Sequence, residues 1–159
     1  MTEDSKLVDA VILAGSNIDK EVCLPEAIRR LRRTSGITVR DVSTCYESES
    51  VGGPADAPVF HNAAALISTS LDPEELRTAL HGIENELGRV RTDDPNAPRT
   101  ADLDIIYFGD LVKHFDGWSV PDPDAEKMAH VAVPVAEVAP RWVPPVSGLT
   151  TVEIAASIV

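Results

Sequence analysis

The chain is 159 residues long, 43% hydrophobic and 25% charged, an ordinary balance for one globular domain covering residues 1–159. Its formal net charge of −12 argues against nucleic acid or an anionic membrane surface as a partner, and makes any anionic ligand depend on local cations or metal ions. Cys23 and Cys45 give neither a disulfide framework nor a metal spacing, no apolar run approaches membrane-spanning length, and neither end reads as a leader, so a soluble cytoplasmic protein is expected.

In chain order, Leu7 to Leu13 predicts a first strand, closed by a turn at Gly15-Ser16-Asn17. Lys20 to Arg33 predicts a helix with Leu24, Ala27, Ile28 and Leu31 on one face. Ile37 to Glu47 alternates as a long second strand, and Phe60 to Ser68 as a third. Asp72-Pro73-Glu74-Glu75 is a helix start, with an acid at the N-cap, proline at the first position and glutamate at the third. That helix should run to about Leu87, and Asp102 to Phe108 forms a fourth strand. Strand, helix, strand, strand, helix, strand is the ferredoxin-like βαββαβ order, an α+β fold with helices packed on an antiparallel sheet. Glu49 to Pro58 and Thr92 to Pro98, both rich in proline and other turn formers, read as connections.

Asp102-Leu103-Asp104-Ile105 has period 2, which puts both carboxylates on one strand face and Leu103 and Ile105 on the other. At about 3.3 Å rise per residue the two acids stand roughly 6.6 Å apart along the strand. Like charges held this way repel unless a cation lies between them, and paired hard oxygen ligands suit Mg²⁺. Arg89, Arg91 and Arg99 precede the acids closely, and arginines near such a metal face phosphates. Alternating aspartates also occur on the solvated face of a half-exposed strand. The clustered cations favour a nucleotide-phosphate site.

The run P-R-x-x-D-L-D-I-I (Pro98 to Ile106), preceded by I-E-x-x-L-G-R-V-R (Ile83 to Arg91), resembles the signature of the 6-hydroxymethyl-7,8-dihydropterin pyrophosphokinase family of folate biosynthesis. Weaker matches follow in order: A-G-S-N from Ala14, V-S-x-x-Y-E-S from Val42, P-V-F-H-N-A from Pro58, L-D-P-E-E-L from Leu71 and V-P-V-A-E-V-A-P from Val133. The resemblance implies transfer of the terminal pyrophosphoryl unit of ATP, the co-substrate, to the hydroxymethyl group of the pterin, releasing AMP. It implies that Asp102 and Asp104 hold two Mg²⁺ ions, that Arg89 and Arg99 grip the transferring phosphates, and that Glu84, Arg91 and Ile105 lie at the nucleotide. On the pterin side it implies Asn62 hydrogen-bonding the ring edge, Phe60 stacking on it, and Ser48 with the backbone around Val51 completing the pocket. Glu84 reads equally as an exposed helical glutamate, and Phe60 as a plain core residue. In the family the two proline-rich connections fold over the substrates and exclude water.

The chain departs from the family pattern on the nucleotide side. Pro95-Asn96-Ala97 stands where Arg-Trp-Gly is usual, Asp122 where a histidine follows Val-Pro, and Met128 and His130 where Arg-x-Phe is usual. Gly117 occupies another common arginine position. Lys113, His114, Lys127 or His130 are candidate replacement cations, and the four histidines, His61 and His81 among them, show no metal-ligand spacing. Two functions therefore follow: an active pyrophosphokinase with a rebuilt nucleotide side, or a non-catalytic or altered-specificity pterin-binding relative. In either, the partners are small molecules, and the expected state is a monomer or weak homodimer.

Overall fold

The computed structural model describes residues 7–16, 20–48, 60–87 and 101–158. Its centre is an antiparallel sheet of β1 (Val8–Ser16), β2 (Ile37–Val42), β3 (Tyr46–Ser48), β4 (Phe60–Thr69) and β5 (Asp102–Phe108). The order across the sheet is β2-β4-β1-β5, with β3 also paired to β4, which is the ferredoxin-like arrangement. Helix α1 (Lys20–Arg33) and helix α2 (Pro73–Glu86) cover one face. After β5 come a hairpin, β6 (Lys113–Phe115) with β7 (Trp118–Val120), then α3 (Ala129–Val138) and α4 (Thr151–Ile158). Helix α3 packs on the opposite face of the sheet, against β4, β1 and β3.

Strand alternation sorts the core into two halves. Ala10, Ile12 and Ala14 of β1 join Leu103 and Ile105 under α1 and α2. Val11 and Leu13 join Ala64, Ile106 and Tyr107 under Val131 and Val135 of α3. The predicted stripe of α1 is the buried one, with Leu24, Ala27 and Leu31 inside and Ile28 packed at the margin. Helix α2 begins with the predicted cap. The Asp72 carboxylate accepts from the Glu75 amide at 2.8 Å, and the Glu75 side chain accepts from the Asp72 amide at 2.9 Å.

Two boundaries differ from the sequence expectation. The first strand continues through Gly15 and Ser16, which pair with Asn62 and His61, so no turn begins at Gly15. The long second strand is broken: the register shifts between Val39 and Asp41, and Ser43 to Cys45 leave the ladder before β3 resumes. The Ser43 hydroxyl explains the break by accepting from the Ala64 amide at 2.8 Å, so a side chain replaces a strand carbonyl. Both proline-rich connections lie outside the described residues.

Candidate active site

The register places the acids and the pterin-side asparagine on one face. Gly15 pairs with Asp102 on one side and with Asn62 on the other, and Asn62 pairs with Tyr46. Tyr46, Asn62, Gly15 and Asp102 therefore form one row across four strands, on the α3 side of the sheet. With neighbouring strands about 4.8 Å apart, Asn62 and Asp102 stand roughly 10 Å from each other, and Gly15 puts no side chain between them. Leu13 pairs with Asp104 in the next row, so Asp104 shares that face while Leu103 and Ile105 are buried beneath α2. Asn62 is buried at 4% exposure, Asp102 is half-buried and Asp104 is exposed.

Carboxylates from the two faces of the sheet hold this row by hydrogen bonds. Glu84 of α2 is buried at 1% exposure, and its Oε2 accepts from the Leu103 amide at 2.7 Å, between the two aspartates. The reading of Glu84 as an exposed helical residue thus fails. The side chain reaches inward because it lies one turn on from Leu80 and next to Ile83, on the apolar face of α2. On the other side of the sheet Glu137 of α3 accepts from the Thr44 amide at 3.0 Å and from the hydroxyls of Thr44 and Tyr46. These hydrogen bonds hold the Glu137 carboxyl below the usual carboxylate range, the Tyr46 hydroxyl contributing most.

Beside β5, the outermost strand of the described sheet on that side, lies a cleft of about 250 Å³, walled by Arg77, Leu80 and His81 of α2, by Gly117, Trp118 and Ser119 of the hairpin, and by Asp122 and Pro123. Leu103, Asp104 and Ile105 form its floor. The Asp122 amide donates to the Ile106 carbonyl at 2.9 Å, which ties the segment after β7 to β5. Burial raises the Asp122 carboxyl above the ordinary range, and the charges of Asp124 and Asp102 push the same way. The Asp124 amide and His130 oppose them. A carboxylate so near Asp102 adds negative charge where the family pattern expects histidine.

Ser48 and Phe60 form a cross-strand pair, described by backbone alone. Val51, Arg89, Arg91 and Arg99 lie outside the described residues. Met128 packs against the α3-side core instead of facing the cleft, and Lys113 sits over the Phe115 ring, 5.0 Å from its centroid. Sequence reasoning missed Arg77, His81 and Trp118. Arg77, His81 and Glu84 are spaced i, i+4, i+7, so the helical period counted back from Glu84 would have found the first two.

Residues 11–140 match the family 7,8-dihydro-6-hydroxymethylpterin-pyrophosphokinase. The chain belongs to this family. It is 37% identical over 91% of its length to the 2-amino-4-hydroxy-6-hydroxymethyldihydropteridine pyrophosphokinase of Synechocystis sp., of which it covers 73%. With the enzyme of the same name from Bacillus subtilis it shares 42% identity over 81% of the chain and 77% of the relative. The fold matches that of Plasmodium falciparum HPPK-DHPS crystallised with pteroate, at a TM-score of 0.74 and 13% identity, over 99% of this chain and 43% of that one. Within the pyrophosphokinase family, then, this member carries Asp102 and Asp104 on one face of β5 and sets Gly117 and Asp122 in the wall of the adjoining cleft.

Proposed function

We propose that the protein transfers the terminal pyrophosphoryl group of ATP to the hydroxymethyl group of 6-hydroxymethyl-7,8-dihydropterin, yielding AMP, as a step of folate biosynthesis. The observation that carries this reading is the row joining Asn62 to Asp102 across Gly15, with Asp104 on the same face of β5. It sets a group suited to a flat heterocycle roughly two strand widths from a pair of acids suited to a metal–phosphate complex.

In the reaction the pterin hydroxymethyl oxygen attacks the β-phosphorus of ATP. The bond from that phosphorus to the oxygen bridging the α-phosphate breaks, AMP departs, and the hydroxyl proton passes to solvent. Such transfers ask a protein mainly for alignment and charge neutralisation. Asn62 orients the pterin edge, and Phe60, Ser48 and the chain around Val51 complete its pocket. Arg89, Arg91 and Arg99 bind phosphate oxygens, with Arg89 and Arg99 on the group in transfer.

Asp102 and Asp104 are the residues that would hold Mg²⁺, as two ions. Their donors are hard carboxylate oxygens. Among the described residues no group of three or more His, Cys, Asp or Glu could hold a metal by itself. That suits an ion which completes its shell with water and substrate phosphates. When bound, Mg²⁺ neutralises phosphate charge and polarises the attacking hydroxyl. Glu84 acts through the Leu103 amide, fixing the strand on which both aspartates stand. The protein acts as a soluble monomer or weak homodimer in the cytoplasm. Incubation with ATP, Mg²⁺ and hydroxymethyl-dihydropterin should release AMP in step with pterin diphosphate; absence of both products rejects the reading.

A further inference from the structure

The segment from Ser43 to Ser48 leads to the pterin side of the row, yet the sheet holds it through one strand alone. Ser43 to Cys45 leave the ladder, and β3 is three residues long. Among the described residues β3 pairs with β4 and with no other strand, so its outer edge gains nothing from the sheet. An edge strand this short is marginal by itself. Asn62 is held differently: β4 lies inside the sheet, and Asn62 pairs with Gly15 as well as with Tyr46. Whatever fixes β3 therefore sets the Ser48 side of the pocket, while the sheet sets the Asn62 side.

The strand break also creates a donor that the ladder does not serve. The Ser43 amide donates to the Ala64 carbonyl at 2.8 Å, and the Ser43 hydroxyl accepts from the Ala64 amide and donates to the Thr44 carbonyl. With Ala64 engaged by Ser43, the Thr44 amide donates to Oε2 of Glu137 at 3.0 Å. Oε1 of the same carboxylate accepts from the Thr44 hydroxyl at 2.8 Å and from the Tyr46 hydroxyl. One side chain of α3 thus grips the chain both at the break and at the first residue of β3. Glu137 stands in the last turn of α3, where the negative end of the helix dipole disfavours a carboxylate. The Tyr46 hydroxyl and the Thr44 amide offset that cost and draw the carboxyl below its usual range. The helix is itself anchored, because Val131, Val135 and Val138 are buried in the α3-side core.

We propose that Glu137 is a positioning residue for the pterin, acting through Thr44 and Tyr46 to set β3 and with it the Ser48 side of the pocket. This rests on the assignment of Ser48 and Asn62 to the pterin in the transfer reaction proposed above. Its effect reaches the substrate through the placement of backbone, so it governs pterin affinity and leaves the nucleotide, at the other end of the row, alone.

The test measures the two substrates separately. Hydroxymethyl-dihydropterin is titrated calorimetrically into protein saturated with the magnesium complex of α,β-methylene-ATP, whose carbon bridge blocks transfer. Glu137→Ala should weaken pterin binding about tenfold, the scale of one lost hydrogen bond to a charged group, and change the affinity for the analogue by less than about twofold. In turnover the loss should sit in the pterin KM, with kcat and the MgATP KM little changed, as for an interaction made equally in ground and transition states. Glu137→Gln keeps one acceptor oxygen and should recover part of the loss. Tyr46→Phe should weaken pterin binding by a smaller factor and add nothing in the Glu137→Ala background, because both substitutions break one contact. Should Glu137→Ala fail to fold, Glu137→Gln and Tyr46→Phe carry the same comparison. Unchanged pterin affinity in these variants overturns the proposal and leaves the reaction standing if the wild type forms AMP. An equal loss for pterin and analogue also overturns it, since the carboxylate would then support the fold in general, and so does additivity of Glu137→Ala with Tyr46→Phe. A wild type whose pterin binding depends on Glu137 but which forms no AMP rejects the reaction and supports the positioning role. A wild type that binds no pterin overturns both.

Discussion

Asp102 and Asp104 differ in exposure although they share a strand face. Asp102 is half-buried beside Gly15 and near Asp122, whereas Asp104 opens on the cleft. Replacing either by Asn keeps the shape and removes the charge, so Asp102→Asn or Asp104→Asn should lower AMP formation by at least about 10³-fold while the circular dichroism spectrum is unchanged. Turnover near the wild-type rate by either variant would remove that residue from the proposed metal site. Asp122 allows a test of a different kind. Its carboxyl titrates above the ordinary value of 3.8 because burial disfavours the charge, so its ionised form opposes folding. The sign follows from linkage: stability falls as pH rises from the unfolded value through the raised folded one, and the penalty is complete above the latter. Asp122→Asn still accepts from the Asp124 amide but carries no charge. It should raise the melting temperature at pH 7, and the gain should vanish below about pH 3.8, where both proteins are neutral at this position. A melting temperature unchanged at pH 7 would mean that the carboxylate is well solvated in the cleft.

Among the elements, β5 and α2 form the unit on which the site depends, joined where the buried Glu84 carboxylate accepts the Leu103 amide. Glu84→Ala would leave that donor without this acceptor, at a cost of about 1–3 kcal/mol. Glu84→Gln should cost less, since its amide oxygen still accepts. Chemical denaturation of both variants measures the difference, and equal stability of Glu84→Ala and wild type would show that solvent or another group satisfies Leu103. The existence and type of the core elements were readable from sequence because their patterns are long and periodic. Helix α1 spans the expected residues, the Asp72 cap forms its box, and β5 begins at Asp102. The break at Ser43 was not readable, because a serine hydroxyl replaces a backbone acceptor only when Ala64 is brought opposite it by long-range pairing. Within the site, the Asp-x-Asp face followed from period 2 alone. The burial of Glu84 needed the packing of α2 on β5, and the Arg77–Trp118 contact joins residues 41 positions apart, which no local pattern reveals. The β6–β7 hairpin carried a local signal in Asp116-Gly117 that is short beside the core strands.

The whole chain carries −12 of formal charge, and its ligand in the proposed reaction is itself a polyanion. The described cleft adds Asp104 and Asp122 to that field and opposes them with Arg77. Nucleotide affinity should therefore depend steeply on divalent metal. In the proposed reaction Arg89, Arg91 and Arg99 are the residues assigned to offset part of the triphosphate charge, each strong ionic hydrogen bond contributing about 1.5–3 kcal/mol, while the acidic net charge opposes the remainder. Metal-free ATP should bind at least about 100-fold more weakly than MgATP, a gap of roughly 2.7 kcal/mol. Salt separates the two sources of this gap. Raising ionic strength from 0.01 to 0.15 M shortens the screening length from about 30 Å to about 8 Å, which relieves repulsion by the distant surface but leaves the cleft carboxylates within range. If the net charge dominates, added salt should narrow the difference between ATP and MgATP; if Asp102, Asp104 and Asp122 dominate, the difference should persist. The position of these acids, Asp102 and Asp104 on one face of β5 and Asp122 in the cleft wall beside it, favours the second outcome. Titration calorimetry at the two ionic strengths, with and without Mg²⁺, reads it directly, and metal-free ATP binding as tight as MgATP at both would show that protein cations alone balance the phosphates.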